Sequence, residues 1–450
     1  MTGAYGDIIC APASGRGGAV AIVRISGGGC LSVVDSVVRF KNGSASESPG
    51  FRVKFGVVPE LDEVLVCIFR APHSYTGEDM AEISCHASPY IVSSILGKLC
   101  AAGCRLAAPG EFTQRAFTAG KMDLSQAEAV ADLISADSIA SHKLAYSQLR
   151  GKYSEKLRLL RAQIVKISAL LELELDFSEE DVEFADRARL QSLVQDALGE
   201  VHRLSDSFKL GNAFKKGIPV VLAGAVNSGK STLLNALLGE ERAIVSDIPG
   251  TTRDTIEEVI SLEGINYRLI DTAGLRDSSD TVERMGIERS VSQMRQALIT
   301  VAVLDSTAPE DVQAEVVRDI RANLPKDSRL IIVRNKVDKQ AGSRKTDGII
   351  DISAKTGLGL DQLRAAIASD NAKRLDYSDA VLVTNQRHYE ALRKAGSELE
   401  NVLNGILTAS PTDLVAEDLR AALNFLGEIF GEVTPDDVLG KVFSSFCIGK

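Results

Sequence analysis

The 450-residue sequence has no run of about eighteen apolar residues, so no segment is long and apolar enough to cross a bilayer as a helix. It also lacks a cationic start followed by an apolar stretch. Residues 1–11 contain Asp7, and no secretory leader is expected. Cysteine is sparse and odd in number: the seven residues Cys10, Cys30, Cys67, Cys85, Cys100, Cys104 and Cys447 are scattered. That excludes a fully paired disulfide framework, suits a reducing compartment, and makes the expected location cytoplasmic. An excess of positive charge is missing too, with 51 Lys and Arg against 61 Asp and Glu, a net charge of −10 and a pI near 5.3. A chain that grips a phosphate backbone unaided is expected to be basic, because released counterions supply much of that affinity. Any RNA substrate is therefore expected to be held by a basic partner. Residues 1–121 nearly balance, with eleven Lys/Arg and ten Asp/Glu, so the acidity lies further along.

What is present is a globular composition, 45% hydrophobic and 25% charged, over a length that calls for two to three domains. Residues 1–121 mix short β-rich runs (19–25, 53–58, 64–69 and 82–86) with one helical segment, 91–101, weakened by Gly97. This predicts an α+β domain. Residues 41–50 read as a surface loop. From residue 122 to 216 the sequence is nearly free of proline, and Leu157, Leu160, Ile164, Ile167 and Leu171 recur at helical spacing. Two or three long helices are expected there. From 217 to 373 apolar runs at 220–223, 267–270, 300–304, 330–333 and 349–352 alternate with helical segments, the pattern of a doubly wound sheet. Residues 374–450 are helical again. The expected fold is multidomain α+β, in which an α/β domain is inserted into a discontinuous helical domain.

The inserted segment carries the chemistry. Residues 224–231 read G-A-V-N-S-G-K-S, directly after an apolar strand and before a helix. There, glycines let backbone N–H groups converge on phosphates at a helix N-terminus. Asn227, Ser228, Gly229, Lys230, Ser231 and Thr232 form this cradle, with Lys230 reaching the β- and γ-phosphates and the Ser231 hydroxyl ligating Mg²⁺. Asp271, Thr272, Ala273 and Gly274 follow a strand. Asp271 can hold Mg²⁺ through water, and the Gly274 N–H can sense the γ-phosphate. Thr251 and Thr252 lie between these motifs, where a switch threonine closes on the metal. Asn335, Lys336 and Asp338 follow another strand, and the Asp338 carboxylate can accept two hydrogen bonds from guanine. This predicts a preference for guanine over adenine of more than about tenfold. Ser353, Ala354 and Lys355 complete the base pocket. The residue after Gly274 is Leu275, which cannot orient water, so another group must position the nucleophile. Asn227 can place its carboxamide oxygen on a monovalent cation. Glu283 reads either as a residue that orders water or as an ordinary surface glutamate.

The motifs then converge on a known family. They are G-R-G-G at 15–18, V-R-I-S-G at 23–27, Y-T-G-E-D at 75–79, A-P-G-E-F-T-Q-R at 108–115, K-M-D-L-S-Q-A-E at 121–128, D-I-P-G-T-T-R-D at 247–254, D-T-A-G-L-R at 271–276 and C-I-G-K at 447–450. Over essentially its whole length the chain resembles the MnmE (TrmE) family of tRNA-modification GTPases. The resemblance implies an N-terminal folate-binding and dimerisation domain (1–121), a helical domain in two parts (122–216 and 374–450) and an inserted P-loop GTPase domain (217–373). It implies a homodimer whose GTPase domains meet when GTP and K⁺ are bound. Asn227, Ser246, Ile248 and Thr251 would hold K⁺, Ser231 and Thr252 would hold Mg²⁺, and Glu283 would orient water. Arg24, Glu82, Lys121 and Lys450 would bind a 5-formyl- or methylene-tetrahydrofolate. The implied reaction adds an aminomethyl or carboxymethylaminomethyl group to C5 of the tRNA wobble uridine, U34. It is carried out jointly with MnmG, an FAD-dependent partner that presents the basic surface for tRNA, in a heterotetramer.

Two departures from the family pattern stand out. Val226 replaces a proline common before Asn227, and C-H-A-S at 85–88 replaces G-H-G-G, which predicts crowding of a tight backbone. Cys447 reads as a nucleophile or a small buried residue, and Cys100 and Cys104 lack a second ligand pair for a metal. The acidic run from Glu172 to Glu183 lacks the spacing of a calcium loop and reads as a solvated or docking face, and His86 as a structural histidine. The competing functions are a ribosome-assembly GTPase switch and a folate-dependent methyltransfer protein with a regulatory GTPase domain.

Overall fold

In a computed structural model, the described residues are 6–15, 17–176, 187–241, 258–271, 292–295, 297–325, 328–339, 346–375, 381–432, 436–444, 446, 448 and 449. They form two compact units, the first made of Met1–Ala131, Gln148–Leu198 and Lys394–Lys450, the second of Asp132–Ser147 and Gly199–Arg393.

The first unit holds a seven-stranded sheet of β1 (Ile8–Pro12), β2 (Val20–Ser26), β3 (Arg39–Phe40), β4 (Arg52–Val58), β5 (Asp62–Phe69), β6 (Met80–His86) and β7 (Cys104–Leu106). The strand order is β3-β4-β5-β6-β2-β1-β7, antiparallel except for the β1–β7 pair. Alternation along the strands sends Ala21, Val23, Ile25, Val64, Val66, Ile68 and Ile83 to one face, where helices α1 (Cys30–Val37) and α2 (Pro89–Ala101) cover them. The expected strands are all present. The short strands β1 and β7 escape the sequence pattern, because three to five residues are too few to show a period. Helix α2 forms despite Gly97, since Ile95 and Leu99 are buried on its inner face. Residues 41–50 form the expected loop, but it is anchored: Ala45 is buried, and Arg70 donates to the carbonyls of Ser46 and Ser48. The expected crowding at 85–88 is not seen. Cys85 fills a core position, and Ser88 takes an ordinary extended conformation ahead of α2.

Helices α3 (Glu111–Thr118), α4 (Leu124–Ser135), α5 (Ile139–Leu149), α6 (Lys152–Asp176), α7 (Arg187–Asp206) and α8 (Phe208–Lys216) follow. The stretch expected to hold two or three long helices is thus cut into more pieces. One break is made by a reciprocal cap, in which Ser138 and Ser141 hydroxyls each accept the other's backbone N–H at 3.1 Å. Another falls at Gly151, whose φ is +82°. The apolar stripe of α6 is buried as its spacing requires, each of its five members at most 2% exposed, and α6 packs along α13 (Thr412–Phe430).

Arg115 on α3, 1% exposed, is the centre of a charged network in this unit. It donates to Asp7 (2.8 Å), Glu111 (3.0 Å) and Glu78 (3.2 Å), while Arg105 pairs with Asp7 and Glu111 from the other side. The Y-T-G-E-D and A-P-G-E-F-T-Q-R motifs meet here: Glu78 accepts from Ser26, and Tyr75 shares a hydrogen bond with Thr113.

In the second unit, β8 (Ile218–Ala223), β9 (Glu258–Leu262), β10 (Ile265–Asp271), β11 (Ile299–Asp305), β12 (Arg329–Asn335) and β13 (Ile349–Asp351) form a sheet ordered β13-β12-β11-β8-β10-β9. It is parallel except for β9, which closes a hairpin with β10. Helices α9 (Lys230–Glu241), α10 (Glu310–Asn323) and α11 (Leu360–Leu375) connect the strands, and apolar clusters lie on both faces. The five apolar runs read from sequence are all strands of this doubly wound sheet. Helix α12 (Gln386–Leu407), which spans the boundary between the units, α13, and α14 (Asp436–Ser444) supply the helical C-terminal part.

Candidate functional site

In the second unit the chain turns from β8 into α9 through Gly224–Gly229, at the carboxyl ends of the parallel strands and where the order reverses around β8. That is the position at which open α/β sheets bind ligands. Two glycines make the turn possible. A Cβ at Gly224 would lie 2.3 Å from the Val303 carbonyl oxygen, and one at Gly229 2.3 Å from Nδ2 of Asn335. Lys230 is buried, and its ammonium donates to the carbonyls of Gly224 and Ala225 at 2.9 Å each. Burial pulls its pKa down, and the carboxylate of Asp271 partly restores it. The Ser231 hydroxyl donates to Asp271 Oδ2 at 2.9 Å, bringing together two oxygens from motifs 40 residues apart. Two hard oxygen donors at a phosphate cradle fit Mg²⁺.

The base-reading motif divides its labour in a way its sequence does not reveal. The Asn335 side chain is used internally: Nδ2 donates to the Ser228 carbonyl at 2.9 Å, and Oδ1 accepts from the Ala354 N–H at 3.0 Å. It staples the phosphate loop, β12 and the 353–355 loop together. Lys336, at φ +65°, donates to the Asn227 carbonyl and to Asp305 Oδ2, both at 2.6 Å. Asp338 accepts from the Ser353 hydroxyl at 2.6 Å. That hydrogen bond holds its carboxyl below the usual range, so Asp338 is an ionised acceptor at neutral pH.

Asp305 belongs to this site and was not singled out in the sequence; its one signal is an acidic residue at the end of a buried strand. Burial raises its pKa, but the Lys336 ammonium and the Thr307 hydroxyl more than offset that, and the net shift is downward. Asn227 takes a left-handed conformation, φ +63°, at the tip of the loop. Ser246, Ile248, Thr251, Thr252, Thr272, Ala273, Gly274, Leu275 and Glu283 lie outside the described residues. Thr232 lies in the first turn of α9, and the exposed Lys355 flanks the base side.

A second cluster sits in the first unit. The β2–β6 register sets Arg24 opposite Glu82, and the guanidinium donates to Glu82 Oε1 at 2.8 and 3.0 Å. Its remaining arm donates to the Gly449 carbonyl at 3.0 Å, and its plane lies over the rings of Tyr75 and Phe112, 5.4 and 5.6 Å from their centroids. The structure thus joins two of the four positions assigned to folate with the C-terminal tail. Lys121 instead donates to the Pro72 carbonyl at 2.9 Å, and Lys450 and Cys447 lie outside the described residues. Tyr75, Phe112 and Gly449 were not named for this cluster from sequence. His86 receives a structural role: Nδ1 is 2.8 Å from Asp62 Oδ1, and its backbone N–H donates to Oδ2. Among the described residues no group of His, Cys, Asp and Glu is arranged to hold a metal ion, and no helix is long and apolar enough to cross a membrane.

Residues 8–121 match the family described as GTP-binding protein TrmE N-terminus, and residues 124–447 match the MnmE helical domain. The chain belongs to the MnmE family. Among curated proteins it is 46% identical to the tRNA modification GTPase MnmE of Cytophaga hutchinsonii, over 99% of this chain and 98% of that one. It is 44% identical to the protein of the same name from Bacteroides thetaiotaomicron, over 99% of both chains. The MnmE of Chlorobium phaeovibrioides is also 44% identical, over all of this chain and 99% of its own. As a member of the MnmE family the chain is a tRNA modification GTPase, and the phosphate cradle and guanine-reading loop described above are its GTP site. No observation favours the ribosome-assembly or methyltransfer alternatives.

Proposed function

We propose that the chain is a potassium-stimulated GTP hydrolase. In this reading it acts with an FAD-dependent, MnmG-type partner to install an aminomethyl or carboxymethylaminomethyl group at C5 of tRNA U34, using a folate one-carbon unit. The observation that carries the potassium assignment is Asn227. Its carbonyl is taken by Lys336, so the carboxamide is its remaining polar side-chain group at the loop tip. An amide oxygen suits a weakly hydrated monovalent cation. Ser246, Ile248 and Thr251 would supply further oxygens, and bound K⁺ would offset charge that develops on the phosphates. Ser231 and Thr252 would hold Mg²⁺. Lys230 would leave its two loop carbonyls for phosphate oxygens, the Gly274 N–H would sense the γ-phosphate, and Glu283 would orient water in place of Leu275.

The Arg24–Glu82 pair fits a folate. A carboxylate can accept from the N–H groups of a pterin, and the Tyr75 and Phe112 rings offer apolar surface beside it. Lys121 and Lys450 would serve the glutamate tail. We further assign residues 1–121, 122–216 with 374–450, and 217–373 as the folate-binding, helical and GTPase domains of a cytoplasmic homodimer. That homodimer would join its partner in a heterotetramer. The test is GTP turnover by the purified chain in K⁺ and in Na⁺, alongside wobble-uridine modification with and without the partner. Turnover should be markedly faster in K⁺, and equal rates in the two salts would overturn the potassium assignment.

A further inference from the structure

Charge along α6 opposes the helix that carries it. From residue 150 to 166 the sequence has six basic residues (Arg150, Lys152, Lys156, Arg158, Arg161 and Lys166) and a single acidic one, Glu155, in a chain of net charge −10. The next segment, 172–186, has eight Asp and Glu and no Lys or Arg. A helix concentrates partial positive charge at its N-terminus and negative charge at its C-terminus, so a basic beginning and an acidic end are unfavourable at both. Burial does not call for the pattern either, because Leu157, Leu160, Ile164, Ile167 and Leu171 already hold α6 in place. Charges that cost the helix stability and serve no core contact are expected to meet something outside it.

Their placement fits that expectation. Lys152, Arg158 and Lys166 are exposed on the side away from the apolar stripe, and Lys156 and Arg161 flank them half-buried. From Lys152 to Lys166 the helix rises about 21 Å. Arg158 pairs with Asp123 at 2.8 Å and Arg161 with Glu432 at 3.1 Å, yet their side chains stay 58% and 37% exposed. Such surface pairs are weak and leave further guanidinium donors for a ligand.

We propose that this face of α6 docks the phosphodiester backbone of RNA, so that the chain itself contributes contacts to the tRNA. The proposal rests on the tRNA-modification reading and goes beyond it, since that reading leaves tRNA to the partner. RNA is favoured over an acidic protein surface because a row of exposed cations matches phosphates, which ask for charge and position rather than shape. The overall charge of −10 concealed the row, since it averages the basic half of α6 with the acidic segment that follows.

The experiment measures tRNA affinity of the full-length chain across a salt series, for the wild type and for Lys152→Gln/Lys156→Gln/Lys166→Gln. Each lost phosphate contact should lower the slope of log K against log salt by roughly 0.7–0.9, so the triple variant should lose about 2 and bind at least about tenfold more weakly near 0.1 M salt. GTP turnover should be unchanged. An unaltered slope with normal turnover would overturn the proposal while leaving tRNA modification itself intact. Loss of partner binding with tRNA affinity unaltered would overturn it in favour of a protein-docking face. Wild-type chain with no salt-dependent tRNA affinity would also sink it, and a separate wobble-uridine assay with the partner present tells whether the tRNA reading falls too. Should the triple variant misfold, Lys166→Glu alone decides: a reduced slope supports the surface and an unchanged one refutes it.

Discussion

A methyl group on Gly229 would lie 2.3 Å from the amide of Asn335, at a φ of +96° that L side chains rarely adopt. Because that amide ties the phosphate loop to the base-reading strand, the clash displaces both halves of the nucleotide site. Gly229→Ala is expected to weaken GTP binding by at least about tenfold, read by titration with a fluorescent GTP analogue. Wild-type affinity would show that the loop relaxes without consequence. Asp338 acts differently. Its ionised carboxylate is an acceptor held by Ser353, and Asp338→Asn replaces one acceptor oxygen with a donor. Selectivity should move from GTP toward XTP, measured by competition between the two nucleotides, and retained GTP preference would remove Asp338 from base recognition. From sequence these two residues look equivalent, each a member of a motif. The structure separates them, because one shapes backbone and the other faces the ligand.

At the scale of elements, α3 and the strands beside it depend on a buried charge network, and α6 depends on apolar packing. Arg115→Leu leaves Glu78 and Glu111 short of a partner in a site from which water is largely excluded. Breaking a buried pair in this way costs about 3–5 kcal/mol, which urea unfolding of the full chain would report as an early transition. Ile164→Ala in the stripe of α6 should cost about 2–5 kcal/mol by leaving a cavity, with GTP turnover retained below the transition. The network also sets an acid limit. Arg105 holds the Asp7 carboxyl low against the opposing effect of burial. At Glu111, burial acts upward most strongly, and Arg105, the Ala108 N–H and Arg115 together overcome it. Both folded pKa values lie below the unfolded ones of about 4, so this stability is complete above that range and is lost as pH falls through the folded values. Urea midpoints should therefore be insensitive to these groups between about pH 7 and 5, and fall below about pH 4. A flat profile into that range would mean the network contributes nothing net.

Across the whole molecule, chain ends and distant strands meet at Arg24. The tail reaches it 425 residues away, and Gly449 is required there, since a Cβ would sit 1.9 Å from the Pro12 carbonyl at a φ of +94°. Gly449→Ala should displace the tail, lowering folate affinity in a fluorescence titration while GTP turnover holds near wild type. Unchanged folate binding would separate the tail from that site. The nucleotide loop, the base-reading motif and nearly every sheet strand were legible in the sequence, because each rests on local chemistry: glycine conformations, a helix N-terminus, and apolar spacing of two or 3.6 residues. The breaks between α4, α5 and α6 were hidden, since capping serines and one glycine interrupt an otherwise continuous helical texture. Only the tertiary structure decided that Asn335 staples loops instead of reading the base, that Asp305 anchors Lys336, and that three carboxylates share Arg115. Those outcomes depend on which polar groups are buried together, and that is set by sheet register and chain closure over tens to hundreds of residues, where no local pattern records it.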